Sequence, residues 1–140
     1  MVTNIYLDID GVILGTASPK EDIVELITYI LDNYPDSTYW LTTHCRHGEN
    51  RCAEWLRGEL PDELVDRMET TIKPTDWEAL KTEAIDMDQD FIWLDDNLFE
   101  TERRVLEAYY VLDDFYKMNP KDPEMAKKAL AHIQKISGKM

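Results

Sequence analysis

Two short runs of this chain carry residues able to do chemistry. In Ile5-Tyr6-Leu7-Asp8-Ile9-Asp10-Gly11-Val12, an apolar segment ends in two carboxylates spaced i, i+2, with a glycine directly behind them. In Phe91-Ile92-Trp93-Leu94-Asp95-Asp96-Asn97, a second apolar segment ends in two adjacent acids. Carboxylates brought together repel one another unless a cation or a shared proton lies between them. Each pair therefore points to a divalent metal, to an acid and a base with divided roles, or to both. A strand running into a polar turn explains either run taken alone, since Asp and Gly favour turns. Two acid-ended strands in one chain resist that explanation, because four acids at one sheet edge are strongly destabilising without a cation.

Further residues complete the set. Thr42-Thr43 closes the β-prone run that begins at Thr38, and hydroxyls there suit a phosphate oxygen. Lys73 and Lys81 lie ahead of the second acidic run. Nucleophilic acid, metal, hydroxyl donor and ammonium are the parts a phosphoryl-transfer site requires. His44, Arg46 and His47 follow Thr42 closely and read either as the mouth of a cleft or as a solvated loop. The planar fork of Arg46 suits a second anionic group of a substrate. Trp40 and Trp93 sit inside strands and read as core. His44, Cys45, His47 and Cys52 match no standard zinc spacing.

Elements able to position these residues follow from the hydrophobic pattern. A first strand is expected over Asn4 to Ile9. Ser18-Pro19-Lys20-Glu21 has the form of a capping box with proline at N1. Behind it Ile23, Leu26, Ile27, Ile30 and Leu31 recur at helical spacing, so a helix runs to about Asn33. Thr38 to Thr42 reads as the second strand, Glu49 to Leu60 and Asp62 to Met68 as two helices broken at Pro61, and Thr70 to Ile72 as a weak strand. Thr75-Asp76-Trp77-Glu78 reads as another capping box, opening a helix through Leu80, Ala84 and Ile85. Phe91 to Leu94 is a continuous apolar run, as a strand buried on both faces should be. A helix around Glu100 to Glu107 and a strand at Tyr109 to Leu112 follow, with one long helix over both as the alternative, and a last helix starting at Asp122 or Pro123 completes the chain. Alternation of this kind predicts an α/β fold, a doubly wound parallel sheet with helices on both faces in three layers. Ligands of such sheets bind at the carboxyl ends of the strands, where the acids fall.

The 140 residues fit one domain, 1–140, and an apolar fraction of 44% with four tryptophans marks a folded chain rather than a disordered one. Fifteen Lys and Arg stand against 29 Asp and Glu, a formal net charge of −14. Such a surface repels nucleic acid and anionic membrane at long range. An anionic substrate stays compatible, because a bound cation and local Lys or Arg reverse the sign inside a cleft. No stretch approaches the ~18 to 20 apolar residues of a membrane span. The first acid stands at position 8, which leaves no room ahead of it for a signal peptide, so a cytoplasmic location is expected, with reduced thiols.

With those residues in view, the sequence resembles the haloacid dehalogenase-like (HAD) superfamily of phosphohydrolases. Asp8-Ile9-Asp10-Gly11-Val12 matches its first motif, DxDG[VT]; Thr42 matches the second, a Ser or Thr closing an apolar strand; Asp95-Asp96 matches the fourth in its DD form. The resemblance runs from about residue 4 to 113 in the right order. It implies a Rossmann-like HAD fold and a Mg²⁺-dependent phosphatase. Asp8 would attack phosphorus to give an aspartyl-phosphate, with Asp10 as general acid and then general base. Mg²⁺ would be held by the Asp8 carboxylate, the Asp10 backbone carbonyl and the acids of the fourth motif, Asp96 directly and Asp95 beside the metal or paired with the lysine. Thr42 would hold the phosphoryl group, with Gly11, Thr43 and Arg46 on the substrate. For the third-motif lysine, Lys81 in Leu80-Lys81-Thr82-Glu83-Ala84-Ile85 resembles the lysine-bearing helix of some small members. Lys73-Pro74 resembles the lysine-proline pair of others, and the resemblance favours Lys81.

Members of that superfamily usually close over small substrates with an inserted cap domain, and this chain has no room for one. An open site suits a bulky phosphorylated small molecule, a phosphorylated macromolecule end, or closure by a second copy of the chain in a homo-oligomer. Nucleic acid enters only as such a substrate. Two other readings compete: a HAD-fold protein that binds a phosphorylated ligand in a regulatory role without turnover, and a receiver-like phosphoacceptor domain. The second expects its phosphoacceptor on the third strand and fits the DxDG spacing poorly.

Overall fold

The computed structural model describes residues 3–44 and 50–138. Arg46, Cys45 and His47 lie outside the described residues, as does the expected helix start at Glu49. Among the described residues four strands, β1 (Asn4–Leu7), β2 (Thr38–Trp40), β3 (Phe91–Asp95) and β4 (Phe115–Lys117), form one sheet in the order β2-β1-β3-β4. All three pairings are parallel. Every residue of β1 and β3 is buried, which explains why both read as unbroken apolar runs rather than alternating ones. Among the described residues five helices connect or follow the strands: α1 (Lys20–Asn33), α2 (Cys52–Leu56), α3 (Asp62–Thr71), α4 (Glu100–Ala108) and α5 (Met125–Ser137).

Successive strand residues point to opposite faces, so the two faces of the sheet carry separate apolar clusters. Ile5, Leu7, Ile92 and Leu94 pack with Leu26, Ile27 and Ile30 of α1, Val65 and Met68 of α3, and Ala129 and Ile133 of α5. Tyr6, Phe91 and Trp93 pack instead with Leu41, Trp77, Ile85 and Leu106. Trp40 and Trp93 are core, as expected, at 1% and 0% exposure. Among the described residues no helix is long and apolar enough to cross a membrane.

Several local expectations give way to tertiary contacts. Ser18 does not cap α1; its Oγ accepts the Ala126 N–H at 3.1 Å and so serves the first turn of α5. Asp62 to Met68 extends as α3 through Thr71 and absorbs the expected strand at Thr70 to Ile72, leaving one bridge between Tyr39 and Lys73. The helix expected behind Thr75 does not form, because the Thr75 hydroxyl donates to the Trp40 carbonyl at 2.6 Å. In its place is a single 3-10 turn, Lys81–Ala84, whose Glu83 carboxylate accepts the N–H groups of Glu78, Ala79 and Leu80. The expected strand at Tyr109 to Leu112 is also displaced. The chain leaves α4 through Tyr110 at φ +59 and a short 3-10 turn, and the strand that pairs with β3 is Phe115–Lys117.

The sheet order fixes where a site can lie. From β1 the chain goes to β2 on one side and then returns to β3 on the other, so β1 and β3 are neighbours at the point where the winding reverses. Crevices open at the carboxyl ends of strands at such points. Leu7 pairs with Leu94 in register, and the Asp8 N–H donates to the Leu94 carbonyl at 3.2 Å. Asp8 and Asp95 therefore leave the sheet side by side.

Candidate active site

One lysine ties the two acidic runs together. Lys81 Nζ donates to Asp8 Oδ2 at 3.0 Å and to Asp95 Oδ2 at 2.7 Å. Each carboxylate spends its other oxygen on backbone: Asp8 Oδ1 accepts the Ile9 N–H at 2.8 Å, and Asp95 Oδ1 accepts the Asn97 N–H at 3.2 Å. Both acids are therefore oriented from two sides. They are also nearly dry, Asp8 at 8% and Asp95 at 1% exposure. Burial and then the Asp8 charge push the Asp95 carboxyl up to about 8, against the pull of Lys81. Burial works against the Lys81 ammonium, but the Asp8 and Asp95 charges outweigh it and hold its pKa above the ordinary lysine value.

Lys73 has no part in this. Its Nζ donates to the Asp36 carbonyl at 3.0 Å and lies 5.6 Å from the centre of the Tyr39 ring, beside β2. Between the two lysines considered from sequence, geometry selects Lys81.

Asp96 joins the cluster from the turn after β3. Asp8, Asp95 and Asp96 each offer a carboxylate oxygen, all within 4.8 Å of one another. The donors are oxygen only, which suits a hard divalent cation such as Mg²⁺. A second observation agrees with that fit. Gly11 has φ +78, and a Cβ built on it would lie 2.2 Å from Asp96 Oδ2. The bare Cα of Gly11 is thus what lets Asp96 stand in the cluster. Gly11 was expected on the substrate; the structure gives it this approach to Asp96, while its N–H donates to the Leu14 carbonyl at 2.8 Å.

Asp10 is placed differently from the other acids. Its carboxylate is outside the cluster and 72% exposed, with Oδ2 at 3.1 Å from His44 Nε2. Its expected metal contact was the backbone carbonyl, and its side chain stands among the residues lining the cleft. Thr42 is fully buried, and its Oγ1 accepts the His44 N–H at 3.4 Å. Thr43 rather than Thr42 stands among the residues lining the cleft. That cleft has a volume of about 210 Å³; its polar lining includes Asp8, Asp10, Lys81, Asp95 and Asp96 beside Thr43, and Trp77 and Phe99 form an apolar wall.

Glu102 was missed from sequence. It is 2% exposed, with Oε2 accepting the Lys81 N–H at 3.0 Å and Oε1 accepting the Phe99 N–H at 3.1 Å. One buried carboxylate thereby pins the turn bearing Lys81 to the first turn of α4. Its place three residues into the helix is a capping-box position, so the Phe99 contact was legible. The contact to Lys81, which is 21 residues away, was not. Comparison of the chain with protein-family models, with curated proteins and with solved structures finds no match.

Proposed function

We propose that this protein is a Mg²⁺-dependent phosphatase of the HAD type, with a three-layer doubly wound fold and no cap domain, hydrolysing phosphate monoesters through an aspartyl-phosphate on Asp8. The observation that carries the reading is the Lys81 ammonium shared between Asp8 and Asp95, with Asp96 within reach, at the carboxyl ends of two adjacent parallel strands. The two apolar clusters on opposite sheet faces support the layered fold, and the order of motifs along the chain supports the family.

Asp8 attacks with an electron pair of one carboxylate oxygen, forming an O–P bond as the ester P–O bond breaks. Asp10 gives its proton to the departing oxygen. In the second half Asp10 takes a proton from water, the water oxygen bonds to phosphorus, and the Asp8 O–P bond breaks. Lys81 offsets the negative charge that Asp8 and the phosphoryl oxygens bring together. Asp8, Asp95 and Asp96 are the side chains that would hold Mg²⁺, with the Asp10 carbonyl as a further ligand. When bound, the ion supplies Lewis-acid stabilisation of the phosphoryl oxygens.

An activity screen on simple phosphate monoesters with Mg²⁺ tests the reading. Wild-type protein turns them over and Asp8→Asn does not, while both unfold at similar temperatures. An Asp8→Asn variant that keeps its rate contradicts the mechanism. A protein that is thermally stabilised by a phosphorylated metabolite yet turns over none of the panel favours the regulatory ligand-binding alternative.

A further inference from the structure

Asp10 has a demanding task and little to hold it. A proton donor must sit within hydrogen-bond reach of the departing oxygen, and a misplacement of about 1 Å costs on the order of a hundredfold in rate. An exposed aspartate has several side-chain rotamers open to it. Among the described residues the Asp10 side chain has one partner, His44 Nε2 at 3.1 Å.

His44, by contrast, is held firmly. Its side chain is 12% exposed. Its ring lies against Trp55 of α2, with centroids 4.5 Å apart. Its backbone N–H is fixed on Thr42 Oγ1, at the carboxyl end of β2. Trp55 is itself 54% exposed, so its position on the imidazole is not demanded by core packing. A histidine fixed by a neighbouring strand end and by a helix thus bears on a carboxylate that has no other described anchor.

We infer that His44 is a positioning residue for Asp10, restricting its carboxyl to the rotamer that faces the leaving group. The inference rests on the phosphatase reading. His44 forms and breaks no bond to substrate; its effect passes through the proton that Asp10 delivers. The consequence is selective. An ester with a strongly basic alkoxide leaving group depends on that proton, whereas p-nitrophenolate leaves with little need of it. A role confined to folding or metal binding would slow both esters alike.

The experiment compares kcat/KM, which reads the steps through departure of the leaving group and not the hydrolysis of the intermediate that both esters share, for an alkyl phosphate and for p-nitrophenyl phosphate, with Mg²⁺, in wild type, Asp8→Asn, His44→Ala and His44→Gln. His44→Ala is expected to lose roughly tenfold or more on the alkyl ester and to stay within about threefold on the aryl ester. His44→Gln, whose amide can still reach Asp10, is expected to recover most of that loss. Equal losses on both esters, or none on either, overturn the assignment of His44 and leave the phosphatase reading intact. Wild-type protein showing no Asp8-dependent turnover of either ester overturns the reading and this inference together.

Discussion

Replacing Gly11 by alanine adds one methyl group and separates two effects that usually come together. The first is backbone strain. At φ +78 an L side chain costs about 1–2 kcal/mol. The second is a collision: the added Cβ would lie 2.2 Å from Asp96 Oδ2, 2.4 Å from its Cγ and 2.9 Å from its Cβ. Carbon contacts are comfortable at about 3.5 Å, so the Asp96 carboxylate must retreat by roughly 1 Å or more. Mg²⁺ tolerates only about 0.2 Å in its ligand distances. Asp96 is therefore lost as a ligand, and Mg²⁺ affinity should fall at least tenfold, or about 1.4 kcal/mol. Gly15 supplies the control, because it has φ +71 with nothing within 4 Å of an added Cβ. Gly15→Ala should show the strain without the collision. Calorimetric Mg²⁺ titration and thermal unfolding of both variants read the two terms apart. If Gly11→Ala and Gly15→Ala both bind Mg²⁺ like wild type, Asp96 is not a ligand that the glycine makes room for.

Other substitutions probe the same cluster. Lys81→Met leaves the buried Asp8 and Asp95 carboxylates facing each other without their ammonium, and breaking a buried pair in this way costs about 3–5 kcal/mol. Urea unfolding in EDTA should show that loss, with Mg²⁺ restoring part of the stability while turnover stays low. Glu102→Gln has one acceptor oxygen for two backbone N–H groups, so it should lose about 1–3 kcal/mol and lower kcat by loosening the turn bearing Lys81. The Asp95 carboxyl, near 3.9 when unfolded, is pushed up to about 8 in the metal-free fold. Its raised folded pKa means that the folded state holds the proton more tightly. The stability this contributes is full below about pH 4 and is lost as pH rises through about 8. Metal-free wild type should therefore weaken between about pH 4 and 8 and level off above, and Asp95→Asn should weaken much less over the same range. Parallel slopes for the two proteins would remove Asp95 as the cause.

The central strands were legible because both are buried on both faces, so β1 and β3 stand out as unbroken apolar runs with acids at their ends. α1 and α5 were legible from their helical periodicity. The elements misread from sequence are those whose form is set by distant partners. Tyr109 to Leu112 has strand-forming residues, yet the position beside β3 goes to Phe115–Lys117, where pairing with Trp93 to Asp95 is available. The Thr75 box fails because its hydroxyl is taken by Trp40, and the Ser18 box because its hydroxyl serves α5. At the site, Asp8, Asp95 and Asp96 were readable from spacing, and Lys81 was favoured over Lys73 from its local sequence; its reach to both Asp8 and Asp95 is set by the fold. His44 on Asp10 and Glu102 beneath Lys81 are contacts between residues far apart in sequence, which a single-chain pattern does not encode.

The account stands on Asp8 as the nucleophile. Mass spectrometry of Asp10→Asn protein, acid-quenched during turnover of p-nitrophenyl phosphate with Mg²⁺, tests this directly, because that ester forms the intermediate with little need of the acid while loss of the base slows its hydrolysis. The account predicts a phosphoryl group on the peptide containing Asp8, absent when Asp8→Asn is added. Hydrolysis proceeding with no phosphoryl group on that peptide, or undiminished in Asp8→Asn, would contradict it.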